Sequence, residues 1–179
     1  MWAIHKRKVE RPVTSAWLLW YGIGALLFDT SREAGADWDT TLFPIFMGVV
    51  NPMIITFLSL GYGQYKWTRL DTGCVIVCIV TIIVWKTTDS PLLGILGGVI
   101  ADATAATPVI KKSWTDPKDE PVFPWAMFAL GSAVNMFAVE KWVLKFWLFP
   151  VYMTVGSVIM TIPLVLYRLK HPAKKENAQ

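Results

Sequence analysis

The chain has 179 residues, 54% of them hydrophobic and ten of them tryptophan, and only 17% are charged, against about 25% in a typical soluble domain. Mean hydropathy is +0.45, and residues 42–60 and 146–167 carry no charge at all, so each run can cross a hydrocarbon core of roughly 30 Å as a helix. These figures exclude an ordinary soluble domain and predict an all-α, polytopic transmembrane bundle. The net charge of +4 does not point to nucleic acid, because the basic residues cluster beside the apolar segments, where membrane lipid is the expected neighbour.

In chain order, the opening "MWAIHKRKVERP" is basic but has no apolar core ahead of a cleavage site, so it does not read as a signal peptide. Six membrane segments follow, over 16–28, 42–60, 74–85, 92–110, 125–139 and 143–167. The first, third and fifth fall short of the usual twenty or so residues. They either extend into flanking polar residues or sit inside the bundle, and 16–28 also admits a re-entrant or interfacial reading. Cys74 and Cys78 lie one helical turn apart in "CVIVC", a spacing poorly suited to a disulfide. With no further Cys or His beside them, no metal site is expected. The chain ends in a basic tail, "RLKHPAKKENAQ", suited to anionic lipid.

Lysine and arginine sort by alternate loops. Residues 1–15, 61–73, 111–124 and 168–179 hold 13 of them, and 29–41, 86–90 and 140–145 hold 4. The positive-inside rule predicts that the first set is cytoplasmic, the C-terminus included. An inner or plasma membrane is the expected location.

The sequence also repeats itself. "LFPIFMGVV" at 42–50 returns as "LFPVYMTVG" at 148–156, an offset of 106. Leu58 and Leu60 match Leu164 and Leu166 at the same offset, and "VERPVTSAWLLWYGIGA" resembles "DEPVFPWAMFALGSA" with Trp17 paired to Trp125 at 108. Ile4, His5 and Lys6 pair with Ile110, Lys111 and Lys112. Four regions result: 1–62, an incomplete first triple-helix unit; 63–90, a linker helix; 91–170, the second triple-helix unit; and 171–179, the basic tail. An odd number of helices between the units makes them parallel. The partner of segment 92–110 projects almost wholly before Met1, so the first helix of the first unit is expected to be missing. Lipid, a second copy in a homo-oligomer, or a partner subunit would then cover that unit.

A 3+1+3 plan with proline near the cytoplasmic end of a unit's first helix resembles the PQ-loop/SWEET (SemiSWEET-related) transporter superfamily. The resemblance rests on "TPVIKKSWTDPKDEPVFPWAMFALGSAVN" at 107–135. Val109 stands where that family has glutamine, and Trp2 and Ala3 occupy the equivalent place in the first unit without a proline. The resemblance implies transport, and it implies a substrate-facing role for Asn51, with Ser157 at the aligned position of the second unit.

The residues themselves supply further candidates for a substrate site. Asp102 is an acid in the middle of a membrane segment, where an ionisable side chain is costly unless it faces a cavity or a partner. It reads either as a substrate or proton site or as a hydrogen bond to a neighbouring helix, helped by Thr104 or Thr107. Asn51 precedes Pro52, which frees a carbonyl and bends the helix, so the amide beside it is expected to line a cavity. Asn135 is either its counterpart across the bundle or a helix-pairing amide. Trp17 and Trp125 either stack on a solute or belong to the aromatic belt. Pro44, Pro52, Pro108 and Pro150 are candidate hinges, and the glycines of "GILGGVI" are expected to let helices approach.

No nucleophile–base pair, phosphate-cradling loop or ligand cluster occurs, so neither catalysis nor a cofactor or metal is expected. The expected task is facilitated or proton-coupled movement of a small polar solute. The rival is a non-transporting scaffold or accessory subunit with the same fold. Asp102 and Asn51 lining one mid-membrane cavity would separate the two.

Overall fold

A computed structural model of the chain describes residues 13–118 and 120–171. It contains helices α1 (Thr14–Glu33), α2 (Trp38–Ser59), α3 (Arg69–Thr88), α4 (Pro91–Thr115), α5 (Val122–Asn135, continued by a 3-10 turn over Met136–Ala138) and α6 (Leu144–Lys170). The first twelve residues, with the "IHKRK" half of one repeat match, and the tail from 172 onward lie outside the described residues. No strand forms among the described residues; Val13 and Gln64 make one isolated backbone bridge. α2, α3, α4 and α6 are long and apolar enough to cross a membrane. Helices satisfy their own backbone groups, as lipid demands, and their outer faces are apolar: Phe46, Phe57, Ile83, Leu130 and Phe137 are all exposed. The protein is all-helical and membrane-embedded.

All six expected segments are helical, four of them long and apolar enough to cross a membrane, and the short ones begin earlier than drawn. Segment 74–85 extends to Arg69–Thr88 because Thr68 and Asp71 form a reciprocal capping box that holds the first turn. Segment 16–28 extends to Thr14–Glu33, where Thr30 returns its hydroxyl to the Leu26 carbonyl at 2.8 Å and so carries no unmet polar group into the core. α1 packs inside the bundle, although it is not among the four helices long and apolar enough to cross a membrane. Ile23 and Leu27 of α1 are at the centre of the core, 0% and 1% exposed. α5 reaches only Val122–Ala138, about 25 Å at 1.5 Å per residue.

Side-chain ties define the two ends of the bundle. At one, Thr14 donates to the Ser59 hydroxyl at 2.9 Å and Ser15 to the Lys66 carbonyl at 2.8 Å, joining the start of α1 to the exit from α2. Arg168 at the end of α6 donates to the carbonyls of Lys118 and Glu120, before α5. At the other, Lys86 pairs with Glu33 at 3.2 Å and Thr40 donates to the Ala138 carbonyl at 2.8 Å. Successive helices alternate in direction between these ends.

Laterally, α1 packs on α2 and α4, α4 on α6, α6 on α5, and the first part of α2 meets α5, which closes a ring; α3 lies outside against α4 and the edge of α1. Glycines set the closest approaches. A Cβ on Gly94 would overlap Thr30, and one on Gly98 would meet Leu27 at 2.6 Å, both on α1; one on Gly97 would overlap Thr81 on α3. The expected packing role of "GILGGVI" is therefore met on two sides at once. Between α1 and α2 the contact is backbone on backbone, since a Cβ on Gly24 would overlap the Gly48 carbonyl.

That contact yields a paired expectation. Gly24→Ala must push two backbones apart and should destabilise by about 1–3 kcal/mol, the usual range for overpacking. Gly22→Ala, two residues away with nothing within 4 Å, should be neutral or mildly stabilising. Thermal unfolding in detergent micelles reads both, and equal behaviour of the two variants would refute the contact.

Candidate functional site

α2 is not a uniform helix. Residues Ile45–Val50 form a π-helical stretch in which the Asn51 N–H donates to the Phe46 carbonyl, five residues back. The cause is local: Pro52 has no N–H to return to Gly48, and Pro44 bounds the stretch on the other side. Such wide turns often occur at functional positions. Of the four candidate hinges, Pro44 and Pro52 flank this irregular segment. Pro108 and Pro150 lie inside α4 and α6, which remain helical through them.

The extra backbone in the π stretch also changes which face each residue presents. Sequence alignment pairs Asn51 with Ser157, yet Ser157 is buried at 3% while Asn51 is half-buried and the next residue, Pro52, is buried. Likewise Thr56 is buried where its aligned mate, Ile162, is exposed. Past the π stretch, the buried Pro52 and Ser59 match the buried Ser157 and Leu164 at an offset of 105, one less than the sequence repeat.

Asp102 lies near the middle of α4, and its carboxylate accepts a hydrogen bond of 2.6 Å from the Tyr152 hydroxyl on α6. This is within the short range of O–H···O⁻ bonds. The surroundings are apolar. Ala101 beside it is fully buried, the Cys74 thiol approaches the Ala101 carbonyl at 3.7 Å, and Cys78, Val99, Ala105 and Met153 pack on the same core. Thr104 and Thr107 do not help. Their hydroxyls return to the Ile100 and Ala103 carbonyls of their own helix, because a threonine inside a helix most easily bonds the carbonyl four residues back. Tyr152 was missed as a site residue. Its signal lay in the repeat, where Phe46 stands at the matching position: the second unit gains one hydroxyl, and it sits where a neighbouring helix carries an acid.

The other candidates are dispersed. Ser157 meets Ser132 of α5, hydroxyl to hydroxyl at 3.1 Å, and each also bonds a carbonyl of its own helix. The Asn135 amide nitrogen is buried without a hydrogen-bond partner among the described residues. No hydrogen bond of the described residues joins Asn51 to Asp102. Trp17 packs edge-on against Trp20 with centroids 5.2 Å apart, and Trp125 against Phe128 at 6.4 Å. The candidates thus fall into one acid–phenol pair, one hydroxyl pair and two amides. Cys74 and Cys78 are free thiols, and no group of three or more metal-ligating side chains occurs among the described residues. No family model, curated protein or solved structure matches the chain.

The acid–phenol pair can be isolated energetically. Tyr152→Phe leaves the carboxyl without its donor and should destabilise by about 1–3 kcal/mol, the cost of an orphaned buried polar group. Adding Asp102→Leu to Tyr152→Phe should recover most of that loss. A double-mutant cycle by unfolding in micelles measures the coupling; a coupling of zero would mean the bond is not made.

Proposed function

We propose that the protein moves a small polar solute across an inner or plasma membrane, by facilitated or proton-coupled exchange, with the cytoplasmic side at the Thr14 end. The observation that carries this reading is the Asp102–Tyr152 pair, placed mid-helix among apolar side chains. Magnitudes favour a functional role over a purely structural one. An acid at a helix centre costs about 2.5–3.5 kcal/mol on insertion scales. Hydrogen bonds between membrane helices contribute about 0.6 kcal/mol on average and about 1.7 at most. One bond from Tyr152 does not offset the acid, so its presence needs another reason, and access to a proton or solute supplies it.

The mechanism follows from where the pair sits. Asp102 belongs to α4, the helix that contacts α1, α3 and α6, so a change in its protonation or partner is felt across the ring. When the carboxyl takes up a proton or a solute hydroxyl or amine, Tyr152 is released and the α4–α6 contact loosens. The π stretch of α2, between Pro44 and Pro52, offers a second compliant element on the opposite side of the ring.

The finer architecture in this reading is PQ-loop/SWEET-like: parallel triple-helix units joined by a linker helix, α3. Three features support it. α6 lies between α4 and α5, as α2 lies beside α1. Gly24 meets Gly48 between α1 and α2, Ser132 meets Ser157 between α5 and α6, and Gly24 aligns with Ser132 in the repeat. The basic loops gather at one end.

The rival reading, a scaffold or accessory subunit, draws on the same hydrogen bond, since a pair already satisfied can act as a staple between α4 and α6. Uptake separates them. Purified protein in liposomes, offered sugars, amino acids and vitamins at two pH values, should accumulate one class. Asp102→Asn should remove the pH dependence and leave the protein folded. Unchanged pH dependence in a folded Asn variant would retire the proton-exchange step, and no uptake of any solute would favour the scaffold.

A further inference from the structure

A cavity of about 140 Å³ opens at the Glu33 end, between the α1–α2 connection and the α5–α6 connection. Its walls include Asp37, Thr40, Glu140, Lys141 and Phe146, together with the backbone at Gly35 and Ala36. These walls are held from several sides. Gly35 takes φ of +90° and donates to the Arg32 carbonyl at 3.0 Å, the Ala36 N–H donates to the Ser31 carbonyl at 3.0 Å, and the Arg32 guanidinium bonds the Ala36 carbonyl while lying 4.1 Å over Trp38. Thr40 clamps the far wall through the Ala138 carbonyl. The three charged side chains, in contrast, make no ion pair with one another or with any other described residue.

We infer that this cavity is a binding site for a small zwitterion of the glycine or alanine kind, the outer mouth of the transport route proposed above. Charge and size make the argument. Two carboxylates and one ammonium around one space match a ligand that carries both signs, its ammonium towards Asp37 and Glu140 and its carboxylate towards Lys141. The rigid backbone lets these groups act without reordering the loop, which is the main saving in a preformed site. A cavity of about 150 Å³ holds a molecule the size of benzene, that is, about six heavy atoms. Alanine has that number and a hexose twice as many, so size selects against sugars.

The position suits an outer mouth. Phe146 forms part of the wall, and Tyr152, the partner of Asp102, follows six residues along α6, about 9 Å deeper. On α5, the unpartnered amide of Asn135 lies three residues below the Ala138 carbonyl that Thr40 holds, about 6 Å for that 3-10 turn. Both polar groups lie on the side of the cavity that leads into the bundle.

The test uses the full chain in lipid nanodiscs and isothermal titration with glycine, L-alanine, methylammonium, acetate and glucose. Glycine and alanine should each bind at one site, and methylammonium and acetate at least tenfold more weakly. Lys141→Ala, and separately Asp37→Asn with Glu140→Gln, should each weaken glycine at least tenfold with an unchanged unfolding temperature, since all three side chains are exposed. No saturable glycine binding by the folded wild type, or binding indifferent to both sets of variants, overturns the inference, as does methylammonium binding as tightly as glycine. Since the inference rests on the transport reading, liposome uptake separates their failures. Glycine binding at Lys141 without uptake of any solute sinks transport alone. Asp102-dependent uptake of another solute, with no glycine binding, sinks the mouth site alone.

Discussion

The structure depends on how closely α4 can approach its neighbours. In lipid there is no hydrophobic penalty for leaving apolar helices apart, so association relies on van der Waals contact and short interhelical distances. α4 achieves this with Gly94 and Gly98 against α1 and Gly97 against α3, a spacing that turns one small-residue patch towards two helices. Leu27, nearly fully buried, fits over Gly98, and Trp85, 7% exposed, lies beside Gly94. The same helix, two turns further on, carries Asp102 to α6. One element therefore sets both the packing of the α1–α3–α4 side and the location of the buried acid.

The α1–α2 pair reaches close contact differently. There the Gly24 backbone meets the Gly48 carbonyl at the point where Pro52 has removed that carbonyl's ordinary donor. The freed acceptor faces the α-carbon of a glycine, a weak C–H···O arrangement common where helices touch. The π stretch then carries the remaining turns of α2 so that Pro52, Thr56 and Ser59 face inward, and Ser59 meets Thr14. Proline, π turn and glycine contact are three parts of one solution, and changing any one disturbs the other two.

Much of this was legible in the sequence, and the gaps have physical causes. Charge-free runs fixed the long helices, because lipid tolerates little else there. The ends of α1 and α3 were not visible in hydropathy, because they are held by polar devices: the Thr68–Asp71 capping box and the back-bonded Thr30. The packing role of Gly94, Gly97 and Gly98 could be read directly. The substrate-site list was read less well. Depth and polarity singled out Asp102, but a partner fifty residues away on α6 depends on which helices touch, and periodicity within one helix carries no such information. The alignment of Asn51 with Ser157 failed as a guide to facing, because a π turn alters the helical phase without altering the residue count. The charged side chains at Asp37, Glu140 and Lys141 read as ordinary loop residues until the two connections were brought together around one cavity.

The two sides of the ring are tied differently. On one side, α5 and α6 are joined by the Ser132–Ser157 hydroxyls, and α4 and α6 by the Asp102–Tyr152 bond, so all three helices are tied by directional bonds. On the other, α2 holds a wide π turn, a phenylalanine with no hydroxyl at position 46, and an asparagine whose amide bonds no other helix among the described residues. A ring with one side tied by directional bonds and the other held by glycine contacts deforms unequally. Slight movement is resisted by the hydrogen bonds of α4, α5 and α6 and absorbed in α2, whose prolines leave fewer backbone bonds to break. In the transport reading proposed above, this asymmetry is what lets an event at Asp102 move one side of the bundle against the other, where two equally rigid sides would only resist it.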